Sequence, residues 1–167
     1  GNTVAAVLKD CDIPAHVESN TGYFSSYEIQ VILSMLRILD NPLQDIPMAA
    51  VLASPIVGMD DEELAQIRSA FKGVSFAQAA LSAMAGEDGY EDEKLKAFAL
   101  VFERLRGAVA DTPIHELLYM MLDETGFYRY ASAMPAGKRR RQNIDMLIEM
   151  ATAYEKTSYK GLFHFVR

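Results

Sequence analysis

Three histidines, one cysteine, an Asp-Glu-Lys triplet and a run of four cations are the residues of this 167-residue chain with which chemistry could be done. Their spacing decides what kind. A zinc hydrolase places two histidines four apart on one helix face, whereas His16, His115 and His164 are scattered along the chain. Each reads as a cap or a surface residue. Cys11 has no histidine placed to activate it and reads as a packing residue. Asp92, Glu93 and Lys94 have the residue types of a nuclease, which gathers carboxylates and a lysine at strand ends around a divalent metal. Here they fall at a helix start, where acids answer the macrodipole. Nucleotide hydrolysis needs a glycine-rich loop closing in Gly-Lys-Ser/Thr. The sole Gly-Lys, Gly137–Lys138, runs into Arg139, and Ser132 occupies the place of the leading glycine. The expectation is a chain with no catalytic, metal or cofactor site of its own.

Two binding candidates remain. Lys138, Arg139, Arg140 and Arg141 open a helix, where the dipole opposes positive charge. A purely structural sequence more often puts acids there, so the cluster is a candidate contact for an anion or nucleic acid, against the ordinary reading of a solvated face. The second candidate is the turn in "SPIVGMDDEEL", Ser54–Leu64. A helix N-terminus behind a glycine presents free N–H groups that suit phosphate. In this case Asp60, Asp61, Glu62 and Glu63 occupy that end themselves, stabilising the helix and repelling phosphate. From physics alone the turn is a corner.

The composition bounds the class. With 50% hydrophobic and 23% charged residues the chain can bury a core. A net charge of −7 argues against a general nucleic-acid coat, and a single cysteine excludes an internal disulfide framework and suits a reducing, cytoplasmic compartment. No apolar run reaches the ~20 residues of a membrane span, and "GNTVAAVLKD" lacks the basic region and apolar stretch of a signal peptide. The charge is uneven. Residues 138–167 carry seven Lys/Arg against three Asp/Glu, a balance of +4, so the other 137 residues carry −11.

The elements that position these residues are almost all helices. Ser25 and Glu28 have capping-box spacing before "YEIQVILSMLRIL", where Ile29, Ile32, Leu33, Leu36 and Leu39 trace one apolar face. "DNP" at Asp40–Pro42 stops it, and Asp45 is expected to cap a short helix running to Ser54, with Pro47 in its first turn. Further helices are expected over Asp60–Phe71 (inner face Leu64, Ile67, Phe71), Ser75–Ala85, and about Asp92–Val109 (Leu95, Phe98, Phe102, Leu105 and Val109 inward). "GEDGYEDEK" reads as an exposed loop. Thr112–Pro113 open the next helix, which Gly126 closes. "FYRYASAM" is a short helical turn, "GKRRRQNIDMLIEMATAYEK" is amphipathic, and Ser158 is expected to cap a last helix. Ile13–Ser19 is the one convincing extended piece. A single strand leaves its backbone groups unpaired, so it belongs to a sheet elsewhere or is irregular.

The order of these pieces resembles the UvrD-like superfamily 1 helicases, and among them the AddA (RexA) subunits of bacterial ATP-dependent helicase–nucleases. The motifs are the "IP" strand, "G-x-F…E-I", "NP…D-I-P" and "SPIVG". Further on come an aromatic cluster, a small-residue turn, a basic helix start and "GLF-x-F". The match is weakest over Gly73–Val109. The resemblance implies an all-α, irregular multi-helix subdomain with one short extended N-terminal segment left from a neighbouring α/β motor domain: residues 1–24 the tail of motor domain 2A, residues 25–167 the helical 2B-like subdomain. It implies a parent that uses ATP and Mg to unwind and degrade DNA in double-strand-break repair and recombination, with its ATP site and nuclease domain outside this segment. The partners implied are DNA and the second subunit of the complex, with no membrane. In related helicases 2B touches duplex DNA through a Gly-Ile-Gly turn, whose first two positions match Gly58 and Met59. Asp60 replaces the second glycine and Val57 an arginine, departures that weigh against phosphate contact. The alternative is a stand-alone all-helical protein-interaction domain with no nucleotide chemistry.

Overall fold

The computed structural model describes residues 22–157 together with Phe165 and Val166. Among them lie eight α-helices, one 3₁₀ turn and no strand: α1 (Tyr27–Asp40), α2 (Asp45–Ala53), α3 (Asp61–Ala70), α4 (Phe76–Met84), α5 (Glu93–Ala108), α6 (Ile114–Thr125), α7 (Phe127–Ala133) and α8 (Gly137–Thr157), with the 3₁₀ turn at Glu87–Gly89 inside the polar stretch. The all-α reading holds. The extended segment expected at Ile13–Ser19 and the helix expected from Ser158 lie outside the described residues.

α1 is the centre of the arrangement. Val31, Met35 and Ile38 are buried as completely as the face read from the sequence. A helix with apolar residues on most of its faces must be enclosed, and α2, α5 and α8 pack around this one. On one side α2, α3 and α4 pack together; on the other α6, α7 and α8 do; α5 touches α1, α4 and α6 and closes the gap. Met48, Leu52, Ile67, Leu117, Met121, Phe127, Leu147 and Phe165 fill one continuous core between these groups.

Two helix starts differ from the expectation. Ser26, not Ser25, stands at the N-cap of α1 and its side chain makes no cap bond. Glu28 does not reach back to the chain; it turns inward, 1% exposed, to meet α8. Asp45 is the first residue of α2 rather than its cap. Its Oδ1 accepts instead from the Ala77 amide at 2.9 Å and ties the start of α4 to α2. In both cases the carboxylate finds a donor on a distant element, which no local pattern contains. Elsewhere the ends fall within a residue or two of expectation. Asp92 accepts from the Leu95 amide at 3.0 Å, and Gly126 closes α6 with φ of 69°, a conformation that favours glycine.

Candidate nucleic-acid interface

The start of α8 is built by a close approach that only glycine permits. After α7 the chain reverses through Met134–Ala136, with Ala136 at φ 59°. Gly137 then lies so near Ser132 that any Cβ would run into the Ser132 carbonyl. This places the four cations on the first turn of a 21-residue helix, beside the end of α7 and the start of α1.

The four then part company. Arg140 turns inward. Its Nε donates to the Pro135 carbonyl at 2.8 Å and its Nη1 to Glu28 Oε1 at 2.8 Å. Asn143, one turn on, donates from Nδ2 to Glu28 Oε2 at 2.7 Å. The Asn143 carbonyl accepts from the Tyr23 hydroxyl at 2.8 Å. Glu28 is therefore a buried carboxylate with a donor on each oxygen, and the network joins the chain entering α1 to the first two turns of α8. Burial, with the Glu28 charge beside it, pushes the Tyr23 phenol far above its ordinary range. The side chains of Lys138, Arg139 and Arg141 make no hydrogen bond or ion pair among the described residues. Lys138 and Arg139 are exposed and Arg141 half-exposed. Glu28 is the residue that local spacing misassigns. The pattern gives it to a cap, and only its place beside the apolar residues Ile29, Ile32 and Leu33 hints at an interior role.

The Gly58 turn is closed on itself. Ser54 is buried, and its Oγ donates to the Val51 carbonyl at 2.7 Å while accepting from the Ile56 amide. The Val57 and Gly58 amides both donate to the Ser54 carbonyl, at 3.1 and 2.7 Å, and the Met59 amide to the Leu52 carbonyl at 2.9 Å. Asp60 and Glu63 complete a reciprocal capping box, each carboxylate taking the other's amide, at 2.8 and 3.1 Å. So every amide from Ile56 to Asp60 has an internal acceptor. Gly58 has φ of 80°, which favours glycine on backbone grounds alone, and Met59 is a core residue. Lys94 crosses from α5 to bind the Gly58 carbonyl at 2.9 Å and Glu63 Oε1 at 2.8 Å. That contact holds the Glu63 carboxyl below its usual range and the Lys94 ammonium above its own.

The remaining chemistry-bearing residues are dispersed. Asp92 and Lys94 serve the α5 start and the Gly58 turn. His115 lies in the first turn of α6, where Glu155 of α8 accepts from its backbone amide at 2.9 Å and meets its Nδ1 at 2.6 Å. Cys11, His16 and His164 lie outside the described residues. Among those described, no three His, Cys, Asp or Glu side chains gather as a metal-binding group, and no helix is long and apolar enough to cross a membrane. Among the described residues no hydrogen bond or ion pair joins the basic start of α8 to the Gly58 turn: one faces α7 and α1, the other α5.

No family model matches the chain. Curated relatives match it closely over a short part of their own length. The AddA subunit of the ATP-dependent helicase/nuclease of Anoxybacillus flavithermus is 43% identical over 158 residues, which is 93% of this chain and 13% of that protein. The protein of the same name in Bacillus cytotoxicus is 42% identical over 164 residues, 96% of this chain and 13% of the relative. That of Oceanobacillus iheyensis is 38% identical over 168 residues, 99% and 14%. Identity at this level holds across nearly the whole chain in each case, so the chain is a segment of the AddA family of ATP-dependent helicase/nuclease subunits, spanning 13 to 14% of the length of these relatives.

Proposed function

We propose that this segment is a non-catalytic part of a DNA helicase–nuclease and lends it a phosphate-contacting surface at the start of α8. On this reading residues 1–24 are the tail of motor domain 2A and residues 25–167 the 2B-like subdomain. The parent spends ATP, with Mg, to unwind and degrade DNA in the cytoplasm during break repair, and the complex's second subunit packs against it. The observation that carries the DNA contact is the division of the basic run. Arg140 is used inside the fold, while Lys138, Arg139 and Arg141 stand at a helix start and make no ion pair among the described residues, where the macrodipole works against them. A charge placed against the dipole and left unpaired calls for an external anion. The Gly58 turn has the opposite character. Its amides are satisfied and its helix start is acidic, which supports a corner inherited from a DNA-binding turn rather than a phosphate site.

The test is the salt dependence of DNA affinity. Replacing Lys138, Arg139 and Arg141 together by alanine should flatten the slope of log affinity against log salt by about 0.9 per lost duplex phosphate contact. Arg140 is left in place so that the fold is not disturbed. Gly58→Ala should leave both affinity and slope as they were. A triple variant with an unchanged slope would refute the assignment of α8, and loss of DNA by Gly58→Ala at unchanged melting temperature would move the contact to the turn.

A further inference from the structure

Two exposed tyrosines stand on the helices that pack against the start of α8. Tyr27 opens α1 and is 44% exposed, and Tyr130 on α7 is 53% exposed. The Glu28–Arg140 pair at 2.8 Å draws the first turn of α1 against the first turn of α8, which holds Tyr27, the neighbour of Glu28, at the basic end. Tyr130 lies on the helix that Gly137 brings hard against the start of α8. The Tyr27 phenol feels both Tyr130 and Arg140, so the two side chains and the basic turn share one neighbourhood. Neither hydroxyl makes a hydrogen bond among the described residues. Neither ring pairs with another aromatic ring there. A single exposed ring is ordinary. Two set where α1 and α7 pack against the basic first turn of α8, with Arg140 between them and the interior, add aromatic surface to that end of the helix.

Cations bind phosphate on any nucleic acid. An exposed ring adds little on a duplex, whose bases are stacked inside, but it receives an unstacked base. We propose that this surface takes a single strand of nucleic acid, with bases on Tyr27 and Tyr130 and phosphates on Lys138, Arg139 and Arg141. The proposal rests on the assignment of α8 as a DNA contact and names the form of the strand.

The experiment is fluorescence anisotropy on the whole 167-residue chain, with a labelled oligothymidylate and a blunt duplex of equal length. Tyr27→Ala and Tyr130→Ala should each weaken oligothymidylate binding by about tenfold, the equivalent of about 1.4 kcal/mol, within the range for one base–ring stack. Duplex affinity and both salt slopes should stay unchanged, because no phosphate contact is lost. Tyr27→Phe and Tyr130→Phe should bind as the parent does, and thermal melts should confirm that the fold is kept. Ring variants that bind oligothymidylate normally, that lose duplex equally, or that fail as phenylalanine as well as alanine would overturn the proposal. If they bind normally while the triple cation variant still flattens the slope, the DNA assignment of α8 stands and only the single-strand inference falls. An unchanged slope in the triple variant overturns both.

Discussion

Replacing Arg140 by alanine tests the division of the basic run, because the structure makes this arginine part of the interior. Glu28 is 1% exposed, and its two donors are Arg140 at 2.8 Å and Asn143 at 2.7 Å. Without Arg140 the carboxylate keeps, among the described residues, one neutral donor and no counter-charge. A charge-assisted hydrogen bond contributes about 1.5–3 kcal/mol, and removing one partner of a buried pair costs about 3–5 kcal/mol. The expected loss is therefore about 3 kcal/mol, or roughly 6–12 °C in melting temperature for a domain of this size. Urea and thermal unfolding followed by helical circular dichroism would measure it. Lys138→Ala and Arg139→Ala are the controls and should stay within about 0.5 kcal/mol of the parent, as exposed substitutions do. Adding Glu28→Gln to Arg140→Ala should recover part of the loss, since the buried charge goes with it. An Arg140→Ala protein that melts with the two controls would refute the reasoning. So would a double variant less stable than Arg140→Ala alone.

Three further outcomes follow from the same geometry. Gly137→Ala should lower the melting temperature and displace the start of α8, because the new Cβ meets the Ser132 carbonyl; Gly58→Ala, which meets open space at φ of 80°, should cost only about 1 kcal/mol. Both are read by thermal melts. The Tyr23 phenol is held protonated by burial and by Glu28. Its contribution to stability is complete below about pH 10, the ordinary phenol value, and is lost as pH rises above it, when the unfolded chain releases the proton and the folded chain cannot. Urea titrations at rising alkaline pH should show stability falling, with a shallower fall in Tyr23→Phe. Glu155→Ala should cost about 1 kcal/mol, as loss of a helix cap does, and hydrogen exchange should show the His115 amide less protected.

Most of the helices are legible in the sequence because their signals are local. A proline, a glycine of positive φ, or an acid one turn from a free amide acts within a few residues, so α3, α5 and α6 start and stop close to where the pattern places them. The closed character of the Gly58 corner is also foreshadowed, since four carboxylates at a helix start fill the place a phosphate would take. The fates of Glu28, Asp45 and Arg140 are not legible. Each is a charged side chain within reach of a local partner, and local spacing assigns them to caps or to an open basic face. Their actual partners lie 32 to 115 residues away. A buried carboxylate without donors is so costly that tertiary packing, once it brings α8 against α1, overrides the weaker local bond. Helical structure, an acidic body and a basic start of α8 can thus be read from residue types and spacing alone. That Arg140 turns inward to Glu28 while Lys138 and Arg139 stay exposed and Arg141 half-exposed is settled by packing, because the choice depends on which helix lies opposite.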